Sequence, residues 1–321
     1  MNEKMTLNEG FYPKLKNLLN ENQILIDEPL KNHTTFEVGG PASFLILPDN
    51  ISQIEESVKL CKDENIPFYV IGNGSNLLVS DKGYTGVIIK ICKNYSNVTI
   101  KKESESDVES NETKYIVEAE SGVLLSDLSR KIADNELTGF EFAAGIPGTL
   151  GGAVTMNAGA YDGEIKDSII GATVMDTEGN IYKLGKEELK LGYRKSIIQD
   201  KHYIVLKASF MFEKGNLKDI NDKIIDLNNR RADKQPLEYP SAGSTFKRPE
   251  GYYASKLIMD SDLRGFRYGN ACVSEKHCGF VINQGGATAA EITTLIHQII
   301  EIVSDKYGVI LEPEVKLLGE F

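Results

Sequence analysis

Three polar side chains in this sequence have neighbours that could make them reactive. Arg194 stands in GYRKS, Ser244 in SAGSTFKRP and Glu314 in LEPEV. An arginine keeps its charge throughout the physiological pH range and can grip a carboxylate through two parallel hydrogen bonds. Arg194 is therefore read either as a carboxylate clamp or as an ordinary surface ion-pair partner. Ser244 follows a glycine and lies among Lys234, Lys247 and Arg248. Its hydroxyl can release a proton or simply bond turn backbone. GSTF is not the G-x-S-x-G elbow and no histidine is close in sequence, so an acyl-transfer nucleophile is a poor reading. The cations around the serine supply a local positive potential that suits a diphosphate. Glu314 falls two residues after Glu312 in a run read as a strand, which puts both carboxylates on one side and Val315 on the other. At the end of a strand such a carboxylate is expected to be exposed.

Two glycine-rich segments must serve these residues. Residues 139–161, GFEFAAGIPGTLGGAVTMNAGAY, hold six glycines and five alanines in a chain that is 26% charged. Glycine loses more backbone entropy on folding than any other residue, so such a cluster implies positive φ angles or a close approach to bare backbone. The second segment, 72–76 (GNGSN), follows the apolar run 66–71. Successive N–H groups in a turn of this kind can face phosphate oxygens, with the Ser75 hydroxyl and Asn76 amide as further donors. Leu77 stands where a dinucleotide fingerprint would place its third glycine, which disfavours a simple βαβ dehydrogenase. A nucleotide triphosphatase would want a lysine after its phosphate loop, and none follows here. One extended, phosphate-bearing ligand shared by both segments, such as a flavin dinucleotide, fits best.

The elements that position these residues follow from periodicity. Phe11, Leu15, Leu18 and Leu19 predict a short helix, Ile51, Ile54, Val58 and Cys61 a second, and Leu125, Leu128 and Ile132 a third. Residues 44–47, 66–71 and 87–91 read as strands. Residues 169–175 and 181–184 flank the turn 176–180 as a hairpin. Ile204, Leu206, Ala208, Phe210 and Phe212 alternate as a half-buried strand. A helix through Ile220, Ile224, Ile225 and Leu227 precedes the cation-rich segment. A later one starts at Thr288 with Glu291 completing a capping box, and stops at Gly308. The last strand is read over 309–318. The acid-rich run 101–114 reads as a mobile hairpin loop without chemistry.

Bulk composition narrows the function classes. The 321 residues predict two domains, perhaps with a third lobe. A net charge of −11 without a long basic run argues against nucleic acid. There is no run of 18 apolar residues and no signal-peptide core at the start, so the expectation is a cytoplasmic protein with no membrane partner. Cys61, Cys92, Cys272 and Cys278 are scattered and do not cluster with the four histidines, which predicts free thiols and no metal site.

Seven runs, in order, resemble one family. They are HTTFEVGGPA (33–42), VIGNGSNLLVSDKG (70–83), AGIPGTLGGAVTMNAGAY (144–161), YRKS (193–196), SAGSTFKRP (241–249), VSEKHCGFVIN (273–283) and LEPEV (311–315). Together they are similar to the UDP-N-acetylenolpyruvoylglucosamine reductases, also called UDP-N-acetylmuramate dehydrogenases, flavoenzymes of peptidoglycan precursor synthesis. The resemblance implies an α+β fold: an FAD-binding domain of the vanillyl-alcohol-oxidase type over 1–212, with lobes at about 25–94 and 95–212, and an α+β substrate-binding domain over 213–321. It implies bound FAD, NADPH as hydride donor and UDP-N-acetylglucosamine enolpyruvate as substrate. Arg194, Ser244 and Glu314 match the family's catalytic positions. Tyr193, Lys234, Lys247 and Arg248 are the expected substrate contacts. Expected cofactor contacts are Ile71, Gly72, Asn73, Gly74, Ser75, Asn76, Leu77, Ala144, Gly145, Ile146, Gly148, Thr149, Gly152, Ala153, Asn157, Gly159 and Ala160. Arg230 and Arg231 are read as either flavin-phosphate contacts or helix caps. The intervals between Arg194, Ser244 and Glu314 are short, which resembles the type II form lacking the tyrosine lid of the longer form.

Overall fold

The strand Ile204–Lys214 carries the alternation its sequence predicts, with Leu206, Ala208, Phe210 and Phe212 buried and the residues between them half-buried. In the computed structural model, which describes residues 3–103 and 113–321 with side chains from residue 10 onward, this strand is the centre of an antiparallel sheet. The sheet order is Ile181–Gly185, Ile169–Met175, Ile204–Lys214, Lys114–Glu120, Val98–Lys102, with Leu137–Thr138 beside the end of the central strand. The predicted hairpin 169–184 is present, Met175 opposite Ile181. Most of the acid-rich run, residues 104–112, lies outside the described residues.

Two compact units make up the chain. The first comprises Met1–Ile24, Ile46–Asn73 and Ile88–Arg231, and the second Leu25–Leu45, Gly74–Val87 and Ala232–Phe321. The units interleave in sequence, whereas the expectation was a single domain boundary near residue 213.

In the first unit, the sheet and the helices Leu125–Asp134 and Leu150–Met156 enclose one core. Phe140 makes edge-on contacts with Phe142, Phe210 and Phe212 at ring-centroid distances of 5.2, 5.4 and 5.8 Å. Such pairs contribute about 0.5–1.5 kcal/mol beyond area burial. They anchor the start of the glycine-rich segment to the sheet. The helix Leu217–Lys234 buries Ile220 and Ile224 against Ala133 and Ala144. Below it, Glu141 is buried and accepts from the Thr138 hydroxyl at 2.8 Å, the Gly139 N–H at 3.0 Å and Lys223 Nζ at 3.2 Å. Burial alone would raise the Glu141 pKa, but these hydrogen bonds together hold it below the ordinary carboxylate value.

In the second unit, the helix Ala289–Tyr307 lays Ile292, Leu295, Ile296, Ile299 and Val303 into a core with Phe36, Leu78 and Leu257. Thr288 and Glu291 form the expected capping box, and Gly308 ends the helix at φ 68°. Asp81 accepts from the N–H groups of Ala289 and Ala290 at 2.8 and 3.0 Å, fixing the same helix end. Leu77–Val79 pairs in parallel with Lys316–Leu318. The final strand is therefore far shorter than the 309–318 read from sequence. Pro313 lacks the N–H that a ladder needs, and the chain bends at Val315. Among the described residues no helix is long and apolar enough to cross a membrane, no group of three metal-binding side chains gathers, and the four cysteines are free thiols. Burial pushes the Cys61 thiol up to about 12.

Candidate active site

Within the first unit, Gly72 and Asn73, the start of the segment 72–76, meet the glycine-rich segment 139–161 about 70 residues away in the chain. Asn73 Nδ2 donates to the carbonyl of Pro147 at 2.6 Å. Gly72 lies so close to Thr149 that a Cβ there would be 2.0 Å from Thr149 Oγ1. Part of the glycine requirement is thus met by the protein's own atoms. A Cβ on Gly145 would crowd Asn228 and Arg231, and one on Gly159 would crowd Glu164. Gly152 differs: nothing lies within 4 Å of a Cβ built on it.

Arg231 reaches the 139–161 segment itself. Its Nη1 donates to the Gly145 carbonyl, and its side chain also bonds Tyr161. Burial lowers its pKa, partly offset by Tyr161. Arg230 pairs instead with Asp226 one turn back in the helix.

Arg194 belongs to the same unit and is tied to the glycine-rich segment 139–161. Residues 192–195 form a tight turn, Gly192 bridged to Lys195, with Arg194 at φ 54°. Asn157 Nδ2 holds the Gly192 carbonyl at 3.0 Å, while Gln199 Nε2 donates to both Thr155 O at 2.8 Å and Arg194 O at 3.2 Å. The guanidinium lies 5.3 Å from the exposed Tyr193 ring. The side chain of Asn157, expected at the cofactor, is spent on this turn and on Lys166 N–H at 2.9 Å.

Within the second unit, Ser244, Glu314 and Asn76 come together. The Glu314 N–H donates to Thr245 O at 2.8 Å, and Asn76 Nδ2 donates to Glu314 O at 3.2 Å. Thr245 is itself locked, its N–H on Gly279 O at 2.8 Å and its Oγ1 accepting from Val281 N–H at 2.9 Å. Thr35 completes the set, its N–H on Gly74 O at 3.3 Å and its hydroxyl on Ser241 O at 2.6 Å. The sequence reading missed Thr35 and Thr245. The signal for Thr245 lay in GSTF, where it adjoins Ser244, while Thr35 stands in the HTTF run with no candidate residue beside it.

Ser244 is exposed beside Gly243, which adopts φ 73°. Glu314 is only 8% exposed, contrary to the expectation of an exposed strand end. Glu312 is exposed and pairs with Lys247, so the two carboxylates do not share a side. The bend around Pro313 separates them, Pro313 bridging Phe246 instead of extending a strand. Arg248 lies 4.0 Å from the Tyr253 ring centroid. Lys234, at the end of its helix, is exposed. His277 accepts the Gly279 N–H on Nδ1 at 3.1 Å, and burial lowers its pKa.

The first-unit segments fit an FAD. Residues 71–73 and 144–160 contain no charged side chain. Gly72, Asn73, Ala144, Gly145, Ile146 and Gly148 are half-buried, with open space at Gly152. A flat ring can lie on such backbone, and its N–H groups can face phosphate oxygens.

Residues 42–185 match the family model described as "FAD binding domain". The chain is an FAD-dependent oxidoreductase, α+β in fold, with an FAD-binding domain. Residues 235–318 match "UDP-N-acetylenolpyruvoylglucosamine reductase, C-terminal domain". The UDP-N-acetylenolpyruvoylglucosamine reductase of Lachnoclostridium phytofermentans is 52% identical over 314 residues, 98% of this chain and 99% of that protein. That of Clostridium perfringens is 51% identical over 309 residues, 96% and 97% of the two chains. The crystal structure of UDP-N-acetylenolpyruvylglucosamine reductase from Thermus caldophilus aligns with a TM-score of 0.75 at 30% identity, covering 92% of this chain and 98% of that one. The chain belongs to the UDP-N-acetylenolpyruvoylglucosamine reductase family.

Proposed function

We propose that the chain reduces UDP-N-acetylglucosamine enolpyruvate to UDP-N-acetylmuramate, at the expense of NADPH, in peptidoglycan precursor synthesis. The observation that carries this reading is the bond from Glu314 N–H to Thr245 O, which brings the residue after Ser244 and a buried carboxylate residue into register. Residues 1–212 serve as the FAD domain and 213–321 as the substrate domain. The enzyme works in the cytoplasm, and through the cell wall it supports cell shape and division. It is of the shorter, type II form.

When bound, FAD supplies a hydride, taken from NADPH, to the β-carbon of the enolpyruvyl group. The chain's own residues handle the charge and the proton. Reduction at the β-carbon leaves negative charge on the α-carbon and its carboxylate. Arg194 stabilises that charge with a cation that does not titrate in the working range. Ser244 Oγ gives its proton to the α-carbon, which is basic enough that a weak acid suffices. Glu314 polarises the enol ether and shares in stabilising the intermediate. Lys234, Lys247, Arg248 and Tyr193 hold the nucleotide sugar, with the cations on the diphosphate. Residues 71–77 and the cofactor contacts between Ala144 and Ala160 hold FAD, mainly through backbone because the side chains of Asn73 and Asn157 are engaged elsewhere.

An FAD oxidase of an alcohol or hydroxy acid would have no use for the cation cluster and would turn over with oxygen. A nucleotide-sugar-binding module without catalysis would show no flavin spectrum. Anaerobic reduction by NADPH followed by addition of the enolpyruvyl nucleotide sugar tests the proposal. Reoxidation that requires this substrate supports it, and reoxidation by oxygen alone contradicts it.

A further inference from the structure

Thr35 holds one distant residue by two bonds. Its carbonyl accepts the Ser241 N–H at 3.0 Å, and its hydroxyl donates to the Ser241 carbonyl at 2.6 Å. With both bonds made, Ser241 cannot turn about one without breaking the other. Just before this clamp, the Asn283 N–H is on Pro240 O at 2.9 Å. At the other end of the same turn Thr245 is fixed by Gly279 O, the Val281 N–H and the Glu314 N–H. Ala242, Gly243 and Ser244 run between the two anchors. Ala242 is buried, but Gly243, at φ 73°, has nothing beyond its chain neighbours within 4 Å of where a Cβ would stand, and Ser244 is exposed. The middle of the turn therefore takes its course from its ends. A serine hydroxyl lies one bond beyond Cβ, with three staggered positions open to it, so its place follows the backbone closely.

We propose that Thr35 is a positioning residue for Ser244, its hydroxyl anchoring the near end of the turn from which Ser244 gives its proton. The proposal rests on the role given to Ser244 above. Only the hydroxyl is at issue, because the Thr35 carbonyl, and its N–H on Gly74 O at 3.3 Å, remain when the side chain is changed. Thr35→Ser keeps the donor. Thr35→Val keeps the volume and loses the donor, and Thr35→Ala loses both without adding bulk beside the carbonyl.

The test uses FAD-saturated protein, so that a change in flavin affinity does not enter, and follows both half-reactions by stopped flow. The variants are Thr35→Val, Thr35→Ala, Thr35→Ser, Ser244→Ala and the doubles with Ser244→Ala. Loss of the Thr35 hydroxyl should slow flavin reoxidation at saturating substrate about tenfold, with reduction by NADPH within about twofold of the parent. The solvent deuterium isotope effect on reoxidation should rise, since delivery of the Ser244 proton is the step made slower. Thr35→Ser should stay within about threefold of the parent, and in the Ser244→Ala background the Thr35 substitutions should change reoxidation by less than about twofold. Equal slowing of both half-reactions, an undiminished loss on top of Ser244→Ala, or a Thr35→Ser as slow as Thr35→Val overturns the proposal. Valine and alanine variants that both fail to fold would make the hydroxyl a structural bond and overturn it too. A slow Ser244→Ala with normal Thr35→Val and Thr35→Ala overturns the positioning role and leaves that of Ser244 standing. A Ser244→Ala enzyme that reoxidises at the parent rate removes the role of Ser244, and this proposal with it.

Discussion

The amide of Glu314 and the carbonyl of Thr245 are 2.8 Å apart, donor to acceptor, although 68 residues lie between them in the chain. Through this bond the exposed Ser244 and the buried Glu314 stand on adjoining segments of one unit. A proton donor and a carboxylate serving one substrate need such a fixed separation.

Ser244→Ala should leave flavin reduction by NADPH near the parent rate and slow reoxidation by substrate by roughly 10²-fold or more. Stopped-flow measurement of each half-reaction decides this. Equal damage to both would make Ser244 a structural hydroxyl.

Gly152→Ala separates packing from ligand contact. No atom opposes a Cβ there, and the residue lies inside a helix, so the FAD-free protein should gain up to about 1 kcal/mol. If FAD lies on this backbone, the same methyl should weaken its binding. Denaturant melts of the FAD-free protein and flavin titrations read the two effects independently.

Arg231→Ala should weaken FAD binding about tenfold by freeing the Gly145 carbonyl and the backbone that follows. Arg231→Lys keeps a donor and should recover part of the loss. Unchanged affinity in both would limit Arg231 to packing.

Glu141 predicts a pH dependence of stability. Its pKa is lower in the folded than the ordinary state, despite burial, because of the bonds from Gly139, Thr138 and Lys223. The carboxylate therefore contributes its full stability above the ordinary value of 4.5 and loses it as pH falls through the lowered folded value. Glu141→Gln should cost about 1–3 kcal/mol at pH 7, and the gap to the parent should narrow below the ordinary carboxylate range. Urea midpoints for both proteins at pH 7 and in the acid range check the sign.

What was legible in the sequence was what local physics decides. The helix from Thr288 to Gly308 announces both ends through its caps, and the strand through Phe210 and Phe212 through alternation. The family motifs single out Arg194, Ser244 and Glu314 as the expected catalytic positions. Periodicity could not reveal that Pro313 breaks the last strand and turns Glu312 out and Glu314 in, because that depends on Phe246 and Thr245, far away in the chain. Nor could glycine content tell a ligand's approach from the protein's own. Gly72 makes room for Thr149 and Gly145 for Arg231, while Gly152 faces open space.

The central claim is that this chain carries FAD and uses it on an enolpyruvyl nucleotide sugar. An anaerobic absorbance titration of the purified protein tests it most directly. The account predicts a flavin spectrum that bleaches with NADPH and returns in proportion to added UDP-N-acetylglucosamine enolpyruvate. A colourless protein that takes up no FAD, or a bleached flavin indifferent to that substrate, would contradict it.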